Sequence, residues 1–120
     1  MDHLGFLAER PLAVIATVSP GGLPHAVPVE VVVEDGKVYV WCRKTSVKAR
    51  NAGRDGRAAL TAYKGNSFAL VRGRAALVGA DDDRYERITK LFLTKYDRSE
   101  TYGNDVLIEI TPERTAGRIR

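Results

Sequence analysis

The residues best suited to bind an anion lie in one short segment, residues 45–51, which directly follows a predicted strand. The start of a helix presents unpaired backbone N–H groups and a partial positive charge, and the hydroxyls of Thr45 and Ser46 add hydrogen-bond donors. Lys48 and Asn51 are separated by one helical turn and therefore share a face of the predicted helix. The segment predicts a site for a phosphate or a carboxylate. A capped surface helix with solvated charges fits the same pattern.

The basic residues are concentrated in residues 43–57, which contain six bases and one acid and carry a net charge of +5. The whole chain of 120 residues carries a net charge of +4, so the remainder is close to neutral. This local excess predicts a local anionic partner. Nucleic-acid binding is disfavoured because the bases are few and no stacking aromatic residues lie between them.

Histidine and cysteine are the other residues that could take part in chemistry. His25, within residues 23–28 (LPHAVP), either donates a hydrogen bond to a ligand or is a half-exposed strand residue. The two histidines and the single cysteine lack the spacing of metal ligands, so no metal site is predicted. No Ser-His-Asp, Cys-His or paired-carboxylate pattern is evident, and Cys42 is expected to be buried in a strand. If a cofactor performs the chemistry, the protein supplies binding, orientation and exclusion of water.

The elements that must position these residues are short strands joined by tight turns. A helix is predicted at residues 2–9, and strands at 12–18, 24–33 and 37–42 are predicted to form a meander. A helix over residues 45–52 is expected to end at Gly53, and strands follow at 57–63 and 67–78, with a bulge at Gly73. A third helix begins near residue 81, and a strand over 106–111 is expected to stop at Pro112.

These elements predict one all-β domain over residues 1–120, with short helices on an antiparallel barrel that is closed or nearly closed. The lone cysteine cannot form an internal disulfide, which fits a reducing cytoplasm. The N-terminal residues do not show a basic start followed by an apolar run, so no secretory signal is predicted. No apolar stretch approaches the length of a membrane span.

Seven segments occur in a characteristic order along most of the chain. They are residues 13–18 (AVIATV), 22–29 (GLPHAVPV), 35–40 (DGKVYV), 46–51 (SVKARN), 57–60 (RAAL), 71–75 (VRGRA) and 110–114 (ITPER). Together they resemble the pyridoxamine-phosphate-oxidase-like, FMN-binding split-barrel superfamily. The likeness is greatest to its short deazaflavin-dependent reductases.

The resemblance implies an antiparallel split β-barrel that forms a homodimer, with a cofactor in a groove between the protomers. It implies that Lys48 and Asn51 hold the cofactor phosphate, with further contacts from Thr45, Ser46 and Arg43. Arg50 is expected to reach the acidic tail of the deazaflavin. The cofactor ring is expected to lie against Thr17 and the segment that contains Pro24, His25 and Val27.

The implied activity is hydride transfer between coenzyme F420 and a small, electron-poor organic substrate. An FMN-dependent oxidoreductase and a flavin- or deazaflavin-binding protein without turnover are the alternatives, because all of them need the same phosphate site. The local charge of +5 favours F420, which has the longer anionic tail. Glu30 and Asn66 depart from the family pattern, since relatives often carry aromatic residues at or near these positions. Both departures bear on the shape and polarity of the ring or substrate pocket.

Overall fold

The computed structural model describes residues 2–99 and 103–120, which form three helices and seven strands. The helices are α1 (His3–Ala8), α2 (Val47–Arg54) and α3 (Asp83–Lys95). The strands are β1 (Ala13–Val18), β2 (Pro24–Val29), β3 (Val32–Glu34), β4 (Lys37–Arg43), β5 (Arg57–Lys64), β6 (Ser67–Val78) and β7 (Asp105–Arg118). No helix in this described part is long and apolar enough to span a membrane.

The strands form one antiparallel sheet in the order β2-β1-β5-β6-β7-β4-β3. Inward side chains from strands near both ends of this order, such as Val29 of β2 and Val40 of β4, meet in a single apolar cluster. Strands that lie far apart in the sheet can share a core only if the sheet curls on itself. The predicted all-β split barrel is therefore confirmed.

The barrel has an opening because the predicted strand over residues 24–33 is in fact two strands. β2 pairs with β1, whereas β3 pairs with β4 at the opposite end of the strand order, so the predicted meander was wrong. The chain leaves β2 near Val31, whose N–H donates to the hydroxyl of Tyr96 (2.9 Å) and whose carbonyl accepts from Lys95 Nζ (2.7 Å). Side chains from the end of α3 thus replace a strand partner at this break.

The last strand does not stop at Pro112, as the sequence had suggested, but continues to Arg118. Its register with β6 shifts between Arg72 and Gly73, because Glu113 is an extra residue in β7, and Pro112 lies next to it, paired with Gly73. A Cβ atom on Gly73 would lie 2.0 Å from the carbonyl oxygen of Thr111, so the close approach of the two strands requires glycine. A proline at a bulge costs no ladder hydrogen bond, which explains why the strand continues through it.

The three helices cover the barrel at different places. α2 begins after the cap residue Ser46 and runs through Gly53, which therefore does not end it. Its Ala49 and Ala52 join the core, so this helix covers one end of the barrel interior. α3 packs on the outer side of β4 and β7, where Phe92 contacts Trp41 with ring centroids 5.8 Å apart.

Candidate functional site

The turn between β4 and α2 fixes the start of the basic helix. The hydroxyl of Ser46 donates to the Arg43 carbonyl over 2.8 Å and accepts from the N–H of Ala49 over 3.3 Å. This is the geometry of an N-cap, which satisfies one free N–H of the helix and leaves others available. The start of α2, with its partial positive charge, therefore lies directly beside the end of β4.

A groove of about 380 Å³, here called the α2 groove, lies where the barrel is open. On one side is the end of β2, whose outer edge has no strand partner in the described sheet. On the other is the end of β4, which pairs with β3 only as far as Tyr39. The groove is lined by Leu12, Pro28, Val29, Glu30, Trp41, Cys42, Arg43, Thr45, Ser46 and Lys48. Four predicted cofactor-binding residues, Arg43, Thr45, Ser46 and Lys48, are thus brought together here.

The basic residues around the start of α2 are not used in ion pairs. Arg43, Lys44, Lys48 and Arg50 have no carboxylate partner within the described part of the chain. Unpaired cations beside a helix N-terminus favour binding of an anion with multiple oxygens, such as a phosphate. This arrangement fits the phosphate of a flavin or deazaflavin cofactor.

The remaining two bases of the segment have structural partners. Arg54 Nη2 donates to the carbonyl of Val18 at 2.6 Å, and Arg57 Nη2 lies 2.7 Å from Asp55 Oδ2. The Arg57 guanidinium lowers the pKa of Asp55 to about 2, mainly through the hydrogen bond between their side chains. The Arg54 contact joins the end of α2 to β1, and the Arg57 contact holds the loop that joins α2 to β5.

Cys42 lies on the floor of the α2 groove and is a buried, free thiol. Burial raises the pKa of this thiol, while a hydrogen bond with Ser46 and the charge of Lys48 act in the opposite direction. The thiol is therefore held in its protonated form, which is a poor nucleophile. The result agrees with the expectation of a structural cysteine.

Asn51 points toward β1. Its side chain is buried, with 2% of the residue exposed, and its Nδ2 donates to Thr17 Oγ1 at 3.1 Å and to Ser19 Oγ at 3.3 Å. Its Oδ1 accepts from Arg54 Nη2 at 3.0 Å. These contacts hold α2 against β1. A direct contact between Asn51 and a phosphate stays a prediction.

The edge of β2 offers few hydrogen-bond donors because Pro24 and Pro28 have no N–H. In an edge strand, a proline takes a position where the N–H would point away from the neighbouring strand. Ala26 lies between them with the same orientation, so its N–H is the donor on this edge.

The other predicted ring-binding residues do not line the α2 groove. His25 and Val27 are half-buried on the inner side of β2, where Val27 packs against the core. The Nδ1 atom of His25 is buried and has no hydrogen-bond partner among the described residues. Thr17 and Pro24 line a second groove, of about 680 Å³, which we call the arginine groove because it includes Arg57, Arg72 and Arg114. Arg50 is exposed on α2 and lines neither groove.

Sequence reasoning missed several residues of the α2 groove. Leu12, Pro28 and Trp41 contribute its apolar walls, and no local pattern distinguishes them from core residues. Glu30 lies at the rim and forms an ion pair with Arg98 over 3.0 Å. The departure at Glu30 therefore places a carboxylate beside the candidate cofactor site. Asn66 lies in the β5–β6 turn and lines neither groove.

The fold and the site together define a class of protein, an antiparallel split barrel with unpaired cations around a helix start at the opening of the barrel. A family model described as pyridoxamine 5'-phosphate oxidase matches residues 2–118. The chain therefore belongs to this family, and the predicted relationship is confirmed.

The chain is also similar to individual proteins and solved structures. The chain is 34% identical over 119 residues to the F420H2-dependent biliverdin reductase of Mycobacterium tuberculosis, covering 97% of this chain and 85% of that protein. A structure described as an F420 reductase has a TM-score of 0.78 at 20% identity, covering 97% of this chain and 98% of its own. A protein of unknown function from Agrobacterium tumefaciens has a TM-score of 0.82 at 22% identity. That comparison covers 93% of this chain, which spans 52% of the Agrobacterium protein. The two structural likenesses bear on the fold alone.

Proposed function

We propose that this protein is an F420-dependent oxidoreductase that transfers a hydride between the deazaflavin and a small, electron-poor organic substrate. The observation that carries the proposal is the set of unpaired cations around the start of α2, at the opening of the barrel. The 34% identical relative is named as an F420H2-dependent reductase, which supports F420 as the cofactor.

The residues of the α2 groove have distinct roles in this proposal. Lys48 and Arg43 bind the cofactor phosphate by charge-assisted hydrogen bonds, and the hydroxyls of Thr45 and Ser46 add neutral ones. Arg50, exposed on the same helix, binds the acidic tail of F420. Reduced F420, when bound, supplies the hydride.

The ring of the cofactor is held along β2 in the same proposal. The N–H of Ala26 and the carbonyls on the strand edge orient the ring. The neighbouring residues Thr17, Pro24, His25 and Val27 shape that region and limit the access of water. Exclusion of water favours transfer of the hydride to the organic substrate.

A homodimer is part of the proposal, because one face of the barrel leaves apolar residues uncovered. Leu12, Val14 and Tyr63 are 56%, 38% and 79% exposed, and they line a third groove on the outer face of β1 and β5. Leu12 and Pro28 border both this groove and the α2 groove. A second copy bound to this face would therefore also border the cofactor site.

The free thiol of Cys42 is compatible with a cytoplasmic protein.

An FMN-dependent oxidoreductase is the second candidate, because the unpaired cations would bind the phosphate of FMN equally well. Binding of either cofactor without turnover is the third. Titration of the purified protein with F420 and with FMN, followed by absorbance and fluorescence, distinguishes the first two. We expect tighter binding of F420.

Turnover is tested by mixing the protein anaerobically with reduced F420 and an organic acceptor. Biliverdin is the first acceptor to try, because it is the substrate in the name of the relative. Reoxidation of F420 that depends on both protein and acceptor supports the proposal. Preference for FMN would support the second candidate, and binding of F420 without reoxidation by any acceptor would support the third.

A further inference from the structure

The arginine groove has a character that the proposed cofactor site does not explain. It lies on the outer side of the sheet, from the start of β2 across β1, β5, β6 and β7, and has a volume of about 680 Å³. Its lining residues are Ala16, Thr17, Val18, Pro24, Arg57, Ala58, Ala59, Arg72, Gly73, Glu113 and Arg114. Such a volume is typical of a pocket for a small organic molecule.

Two of its three arginines form an unusual pair. Arg72 of β6 and Arg114 of β7 are directly opposite each other in the sheet register. Like charges in this arrangement destabilise a sheet. Neither has a carboxylate partner among the described residues, because Glu113 pairs with Arg74 (3.6 Å) and Asp55 pairs with Arg57 (2.7 Å). An anion that bridges Arg72 and Arg114 would relieve their repulsion and accept hydrogen bonds from both.

Apart from Thr17 and Glu113, which pairs with Arg74, the remaining wall is formed by small apolar groups. Ala16, Val18 and Pro24 provide it from β1 and β2, and Gly73 lies close to β7 without a side chain. A flat or compact apolar group can therefore lie against the sheet while its charged substituent meets the arginines. Arginines beside an apolar wall favour an organic molecule with an anionic group and an apolar body over a bare inorganic ion.

We propose that the arginine groove binds a small apolar or aromatic carboxylate, and that this carboxylate is the acceptor substrate of the reaction. Thr17 and Pro24 connect the groove to the proposed ring site, which places such a ligand beside the cofactor. The inference that this ligand is the substrate rests on the proposed function. The inference that the groove binds an organic anion is independent of the proposed function.

Two fluorescent probes test the binding directly. Anilinonaphthalene sulfonate carries an anionic group on an aromatic body, and phenylnaphthylamine has the same kind of body without the charge. Wild-type protein should bind the sulfonate more tightly. The R72Q/R114Q variant should bind the sulfonate about tenfold or more weakly than wild type, on the usual scale of hydrogen bonds to charged groups. Its affinity for the neutral probe should be unchanged.

Matched variants make the test specific. R87Q/K90Q removes the same number of positive charges from α3 and should leave binding of the sulfonate unchanged. R114E should abolish its binding while raising the thermal midpoint, because the introduced carboxylate lies opposite Arg72 and forms a favourable cross-strand pair with it. Equal affinity for both probes, or equal losses in R72Q/R114Q and R87Q/K90Q, would overturn the proposal.

The affinity for F420, measured on the same variants, separates this inference from the proposed function. R72Q/R114Q should bind F420 as wild type does, and a matching loss would assign these arginines to the cofactor and contradict the inference. Selective binding of the sulfonate by a wild-type protein that does not bind F420 would support the anion site. That result would contradict both the proposed function and the assignment of the carboxylate as its substrate.

Discussion

Replacement of Asn51 by alanine should lower stability, because the structure gives this side chain three hydrogen bonds inside the protein. The change removes two neutral hydrogen bonds, to Thr17 and Ser19, and one from the guanidinium of Arg54. A neutral hydrogen bond contributes about 1 kcal/mol and one to a charged group about 1.5–3 kcal/mol. The hydroxyls can rotate to other partners and Arg54 keeps the carbonyl of Val18, so we expect a net loss of about 2–3 kcal/mol.

The assay is thermal and urea unfolding of wild type and N51A at neutral pH. For a chain of this length, 1 kcal/mol corresponds to about 4 °C in the midpoint, so we expect a shift of roughly 8–12 °C. A double-mutant cycle with Thr17→Val should show a coupling of about 1 kcal/mol, since the two side chains share one bond.

Affinity for the cofactor provides the refuting result. If N51A unfolds like wild type but binds F420 ten times more weakly, the amide faces the ligand and the bracing role of Asn51 is wrong. N51D keeps the shape of the side chain and its contact with Arg54, and it should retain more stability than N51A.

The remaining predictions concern the bulge, an alkaline transition and the histidine of β2. Gly73→Ala should cost about 3 kcal/mol in an unfolding experiment, at the upper end of ordinary single changes, whereas Gly53→Ala, which meets only a flexible side chain, should be close to neutral. Burial and the hydrogen bond to Glu109 raise the pKa of Tyr39 to about 12. The stabilisation that Tyr39 gives the fold is therefore complete below the pKa of an unfolded tyrosine, about 10. The stability difference between wild type and Y39F should therefore shrink between about pH 10 and 12, and a constant difference would contradict this. His25→Ala should mainly lower the turnover number, with a smaller effect on thermal stability. An unchanged turnover number with a lowered melting temperature would show that the histidine is structural.

The elements with local signals could be predicted from the sequence. The Asp35-Gly36 turn has both residues at positive φ, the Ser46 cap needs a side chain that accepts from the helix backbone, and Gly73 lies too close to Thr111 for a side chain. All three predicted features are present. The basic segment could likewise be located from charge alone. The charge pattern does not show that Arg54 and Asn51 make hydrogen bonds within the fold, because their partners lie in β1.

The errors arose where tertiary contacts decide the structure. Residues 24–33 have strong strand propensity throughout, and the break at Val31 depends on Tyr96 and Lys95, which are more than sixty residues away in sequence. Pro112 is tolerated in β7 because it lies at the bulge, paired with Gly73 and next to the extra residue Glu113. The arginine groove was missed for the same reason, because Arg72 and Arg114 meet only through the pairing of β6 with β7.

The most direct test of the proposed cofactor site is the affinity of Lys48→Ala for F420, measured by fluorescence titration. Lys48 has no ion-pair partner in the described structure and lines the α2 groove, so its loss should not disturb the fold. Loss of a charge-assisted hydrogen bond to the phosphate should weaken binding about tenfold to a hundredfold. Lys90→Ala, which removes an exposed helical lysine from α3, is the control. We expect weaker binding of F420 in Lys48→Ala alone. Equal affinity of Lys48→Ala and wild type, or equal losses in both variants, would contradict it.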